Sequence, residues 1–175
     1  HKVVSKLDAG QIIYQKKINI TPLDNYISIK EKVNKFIKNQ LSSIIQKYLT
    51  NKLNLKVNKL SQETWNPSRN PEDSMINFFD KKKNVINLIR GTADKKFGAF
   101  CFLNEKKIII LDASIKSKKT FEGIIPGRIV KINKNGSVDC LCSDGVLTIN
   151  KISYNNKIIK PSRLINSTRF TLLND

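Results

Sequence analysis

The stretch ITPLDNYISIKEKVNKFIKNQLSSIIQKYL places Ile29, Val33, Phe36, Ile37, Leu41, Ile44, Ile45, Tyr48 and Leu49 at three- and four-residue steps. That is the period of an α-helix with one buried stripe, so the pattern predicts a helix over about residues 27–49, capped by Asp24 or Ser28. Upstream, Gln11–Ile20 is rich in β-branched Ile and only partly alternates, which predicts two short strands or one bent strand after an Asp8–Gly10 turn. From Gln62 to Asp73 the period is lost among two prolines, Asn and Ser, and the segment reads as a linker, with Trp65 and Pro67 pinning it to the segment before. A second, shorter helix is predicted after Asp80, with Val85, Ile86, Leu88 and Ile89 inward and Gly91 ending it.

From Gly98 the texture changes to short β-rich runs: GAFCFL, KKIIILDASI, GRIVKI, SVDCLC and VLTINKI. Turn signals separate them at Asn104-Glu105, Pro126-Gly127, Asn135-Gly136 and Asp144-Gly145. Five or six strands at near-regular spacing predict a small barrel or sandwich. The order of elements reads as α/β followed by mainly β.

Composition narrows the picture. With 175 residues, 39% of them hydrophobic, the chain can furnish one medium core or two small ones. Its apolar runs fall far short of the roughly 18 residues of a membrane span, so no transmembrane helix is expected. Lys2, Lys6 and Asp8 interrupt any signal-peptide core, and with no Met at position 1 the chain is expected to be a piece of something longer. Cys101, Cys140 and Cys142 are an odd number, which argues against a secreted disulfide framework and for a reducing cytoplasm. Cys140 and Cys142 have no second pair and no nearby His to complete a zinc site; they read as two side chains on one face of a strand, and no metal is expected.

The formal net charge of +18 has two readings. It fits a nucleic acid or anionic surface as partner. It also fits a Lys-, Asn- and Ile-rich composition of the kind that A/T-rich codons produce.

One carboxylate invites chemistry. Asp8 stands two residues before Gly10 at the entrance to the Ile-rich run. Asp and Gly are ordinary turn residues, and that is one reading. The other is a carboxylate aimed into a cleft, where it handles a proton.

The loop HKVVSKLDAGQIIYQ resembles the active-site loop of folate-dependent formyltransferases: a His, a short variable run, then Asp-x-Gly before an apolar strand. Downstream, Pro71-Glu72-Asp73, Asn87-Leu88-Ile89-Arg90 and Gly98-Ala99-Phe100 follow in the order found in enzymes of this family that N-formylate amino sugars on nucleotides. The likeness is greatest to formyltransferases acting on UDP-4-amino-4-deoxy-L-arabinose. Methionyl-tRNA formyltransferases share the Asp-x-Gly loop and the strand-rich tail.

The resemblance implies a cytoplasmic enzyme that uses 10-formyltetrahydrofolate, with a nucleotide-linked amino sugar as acceptor and tRNA as the alternative partner. It makes Asp8 the aspartate of a catalytic Asn/His/Asp trio and His1 the loop histidine near the transfer site. Gly10 would let backbone approach the pterin-side ligand, and Arg69 matches a linker arginine close to the acceptor. Ordinary roles stand beside these: a frayed terminal His1 and a solvated Arg69.

The domains so implied are a truncated C-terminal segment of a Rossmann-like catalytic domain at 1–60, a linker at 61–73 and an OB-like C-terminal domain at 74–175. The family's catalytic Asn and His lie upstream of the matched loop, so the chain is expected to be catalytically incomplete without the rest of that domain. A third class also fits the charge: a basic OB-like module that binds nucleic acid without chemistry.

Overall fold

The computed structural model describes residues 1–59, 61, 64–117 and 119–173. The expected linker's Gln62 and Glu63 lie outside the described residues, as does Leu60 at the end of the expected catalytic segment. The chain divides into two compact units, His1–Ser68 and Arg69–Asp175.

The first unit is organised by one long helix, α1 (Tyr26–Leu49). Its N-cap is Asn25 rather than Asp24 or Ser28: the Asn25 side chain accepts from the Ser28 N–H, and the Ser28 hydroxyl accepts from the Asn25 N–H, a reciprocal capping box. Asp24, just outside, is buried and binds Lys32 Nζ at 2.6 Å, Thr21 N at 2.7 Å and Ser28 Oγ at 2.8 Å. These partners, Lys32 foremost, hold its carboxyl far below the ordinary carboxylate range.

The predicted stripe is real in period but only half-covered. Ile29, Val33, Phe36, Ile44 and Tyr48 are half-buried, whereas Ile37, Leu41, Ile45 and Leu49 stay 45–73% exposed. What covers the stripe is the segment before it. Tyr14 stacks on Phe36 with ring centroids 5.8 Å apart, and Lys2 Nζ stands 5.9 Å from the Tyr48 ring centroid.

The strands expected over Gln11–Ile20 do not form. Ile12 makes a lone bridge with Lys56, through hydrogen bonds of 2.8 and 3.1 Å, and the rest of the segment is irregular. Its residue order explains this: Ile12-Ile13 and Lys16-Lys17 are adjacent like pairs, so no two-residue alternation sorts apolar from polar faces. Among the described residues the first unit has no sheet.

The second unit is a curled, mainly antiparallel sheet with one short helix. After a 3-10 turn at Pro71–Ser74 come α2 (Lys82–Gly91), β1 (Phe100–Leu103), β2 (Lys106–Ser114), β3 (Ile129–Ile132), β4 (Val138–Cys142), β5 (Gly145–Tyr154) and β6 (Lys157–Ile159). The strand order is β1-β2-β5-β4-β3, with β6 also on β5.

Turn chemistry makes the tight hairpins. Asn104 and Glu105 take positive φ between β1 and β2, and Gly136 and Gly145 do so at the next two turns. The inner face presents Ile108 and Ile110 of β2, Val138, Cys140 and Cys142 of β4, and Leu147, Ile149 and Ile152 of β5. α2 lays Val85 and Ile89 on this core, with Ile86 and Leu88 partly buried beside them. Cys140 and Cys142 thus do share one strand face, as free thiols.

The sheet's two free edges meet through the tail. Phe102 of β1 exchanges hydrogen bonds of 2.9 Å with Leu173, while Ile129 of β3 donates to Phe170 O and Leu172 donates to Gly127 O. The mainly β domain expected at 74–175 is thus a curled sheet whose edges are tied by residues 170–173. No helix among the described residues is long and apolar enough to cross a membrane.

Candidate active site

The opening loop is held by its backbone. Lys2 N donates to Gln11 O at 2.9 Å, which folds residues 1–11 back on themselves. Gly10 sits where this fold is tightest: a Cβ there would lie 1.8 Å from Lys2 O. Gly10 therefore serves the close approach of two backbone segments. It does not line the cleft described next, where the resemblance had it face a ligand.

Asp8 adopts φ 52°, a left-handed conformation that Asp tolerates better than most residues. Asn58 Nδ2 donates to its carbonyl, tying the loop to the chain beyond α1. The carboxylate lines a cleft of about 600 Å³ with Ile12, Val57, Asn58, Lys59 and Trp65. Trp65, expected to pin the linker, is instead 81% exposed and lends its indole to the cleft wall.

His1 Nε2 lies 3.3 Å from Asp8 Oδ1, and its Nδ1 lies 3.0 Å from Lys2 O. If Nδ1–H is given to the carbonyl, Nε2 can donate to Asp8 only when the ring carries a second proton. Both side chains are well exposed, so the pair contributes little to stability.

Arg69 belongs to the second unit. Its Nη2 donates to Asp73 O at 2.6 Å, and Asp73 Oδ2 accepts from Asn70 N at 2.7 Å, so the PSRNPED run forms a self-bonded 3-10 turn with Pro71 at its start. The structure brings His1 and Asp8 together, and gives Arg69 a local partner.

Sequence reasoning missed Asn58, Lys59 and Trp65 as cleft residues, since they are distant from Asp8 along the chain. It also missed a polar cluster on the sheet around Asp139. The signal there was an acidic residue inside the apolar run VDCLC.

Residues 69–169 match the family described as formyl transferase, C-terminal domain, more than half of the chain, and the chain belongs to this family.

Within it, the chain is 29% identical over 156 residues to the methionyl-tRNA formyltransferase of Kosmotoga olearia, covering 89% of this chain and 49% of that protein. To the methionyl-tRNA formyltransferase of Thermotoga maritima it is 28% identical, covering 78% of this chain and 42% of the relative. The chain spans about half the length of these curated relatives.

Among solved structures, a variant of HypX from Aquifex aeolicus has a TM-score of 0.68 at 15% identity, covering 94% of this chain and 30% of that one. HypX in complex with tetrahydrofolic acid has a TM-score of 0.64 at 16% identity, over 94% of this chain and 29% of that one. At such identities the likeness is one of fold.

Proposed function

We propose that the chain is the carboxy-terminal portion of a folate-dependent N-formyltransferase, comprising the aspartate loop of the catalytic domain and the C-terminal domain that follows. The observation that carries this reading is Asp8 on a cleft wall with His1 Nε2 3.3 Å from its carboxylate, in a chain of this family. The donor in this reading is 10-formyltetrahydrofolate. A cleft of about 600 Å³ suits such a ligand in size, with Trp65 as a flat surface for a heteroaromatic ring and Lys59 as a counter-charge for a carboxylate.

Formyl transfer requires a neutral amine to attack the formyl carbon and to lose a proton, while the bond from that carbon to the folate nitrogen breaks and the leaving nitrogen takes up a proton. Asp8 takes up the amine's proton or holds the imidazolium of His1 while it does so, general acid–base help typically worth ~100- to 10,000-fold. The donors that polarise the formyl oxygen would come from the rest of the catalytic domain. The 175-residue chain alone is therefore not expected to turn over.

Two acceptors have support. The NPED junction first pointed to a nucleotide-linked amino sugar such as UDP-4-amino-4-deoxy-L-arabinose. Methionyl-tRNA is favoured by the relatives and fits the +18 charge. The tRNA reading weighs more, because the self-bonded turn at Arg69–Ser74 gives the junction residues a local structural reason.

The test is the complete gene product, supplied with 10-formyltetrahydrofolate and each acceptor in turn. Formylation of methionyl-tRNA is expected, and Asp8→Asn should slow it about 100-fold or more while folate binding persists. An unchanged rate in the variant would remove Asp8 from the mechanism. Formylation of the amino sugar alone would reverse the acceptor, and of neither would sink the reading.

A further inference from the structure

The outer face of the curled sheet carries a polar row. The register sets Ser114 of β2 opposite Thr148 of β5, Thr148 opposite Asp139 of β4, and Asp139 beside Lys131 of β3. Thr148 Oγ1 donates to Asp139 Oδ1 at 2.8 Å, and Asn133 Nδ2 donates to the same oxygen at 3.0 Å. At the other end Asn150 Nδ2 donates to Ser114 Oγ at 3.1 Å. Asp139 and Thr148 are only 8% and 6% exposed. A carboxylate so placed is costly next to an apolar residue of similar size.

Asp139, Thr148, Asn133 and Asn150 floor a cleft of about 730 Å³, and Lys116, Lys119, Lys131 and Lys134 stand around it. The rim and the floor ask for different groups. Four ammonium ions attract a phosphate. Asp139 repels one, yet its carboxylate offers about four acceptor sites, two of them met by Thr148 and Asn133, with room for a hydroxyl donor. A bare anion satisfies the rim and offends the floor; a ligand with hydroxyls at one end and phosphate at the other satisfies both. Among the described residues no aromatic side chain lines the cleft, so it offers no platform on which a base would stack.

We propose that this cleft binds a phosphorylated sugar, its phosphate held by the lysines and its hydroxyls by Asp139, Asn133 and Asn150. The sugar phosphate is a free small molecule, since no aromatic side chain among the described residues lines the cleft to hold the bases of a strand. The site lies wholly in the second unit and stands independently of the formyl-transfer reading.

The full chain, labelled with ¹⁵N, is titrated with ribose 5-phosphate, inorganic phosphate and a short single-stranded RNA, following amide shifts. Ribose 5-phosphate should saturate, move the amides of Asn133–Ser137 and Thr148, and bind about tenfold more tightly than inorganic phosphate. The exposed double variant Lys131→Ala, Lys134→Ala should weaken it about tenfold or more without touching the fold. Asp139→Asn should bring ribose 5-phosphate down toward inorganic phosphate.

RNA that moves the same amides and outcompetes ribose 5-phosphate there would overturn the proposal and assign the cleft to a strand. Equal affinity for phosphate and ribose 5-phosphate would overturn the proposal. So would saturable binding of neither.

Discussion

Asp144, in the turn between β4 and β5, accepts a hydrogen bond from the backbone N–H of Lys82 at 2.7 Å through Oδ1. It caps α2 from 62 residues away, where the helix's own N-cap residue, Lys81, supplies no side-chain bond. Lys82 Nζ answers by donating to Asp144 O at 2.8 Å. Asp144→Ala should cost about 1 kcal/mol, the usual effect of losing an N-cap, and Asp144→Asn should recover most of it. Urea unfolding of the three proteins compares them, and equal midpoints would mean the cap is replaced by solvent.

Gly127 governs closure of the sheet. Its φ is +79°, and a Cβ would stand 2.0 Å from Leu172 O, the residue whose N–H bonds back to Gly127 O. Gly127→Ala should destabilise the second unit by on the order of 2–3 kcal/mol and raise hydrogen exchange at Leu172 and Leu173. Unchanged exchange at those amides would refute the role given to the tail.

The three thiols should be silent in the native protein. Cys101, Cys140 and Cys142 are wholly buried, and burial pushes the Cys142 thiol up to about 12, with Cys101 and Cys140 also raised. Thiolates are the reactive form, so iodoacetamide at pH 8 should label none of them until the sheet unfolds. Rapid labelling of one cysteine under native conditions would contradict the buried core.

Acid should loosen the cap of α1. The carboxyl of Asp24 is depressed in the folded chain, chiefly by Lys32, so its stabilising effect is complete above the unfolded value near ~3.9 and is lost as pH falls from there. The gap in melting temperature between the natural chain and Asp24→Asn should be widest near neutral pH and should narrow below about pH 4. A gap independent of pH would mean that the Asp24 charge contributes nothing.

Much of the fold was legible. The 3.6-residue spacing of Ile29 to Leu49 marked α1 within a residue of each end, and the spacing of Val85 to Ile89 marked α2. The runs from GAFCFL to VLTINKI became β1 to β5, because Asn104-Glu105, Asn135-Gly136 and Asp144-Gly145 set hairpin turns locally. Only three residues long, β6 carried too short an alternation to register. The strands read into Gln11–Ile20 failed since Ile content without alternation cannot sort two faces.

What the chain's order determined by itself is what neighbours along it decide: helical period, hairpin turns and the free, inward cysteines of β4. Tertiary structure alone decided which residues meet across distance. Asn58 and Trp65 share a cleft with Asp8, Asp144 caps Lys82, and Asp139 faces Lys131 only once β3 and β4 are paired. The reason is that periodicity is a local property of backbone geometry, whereas a site is a juxtaposition fixed by register and chain closure, which no single stretch of sequence contains.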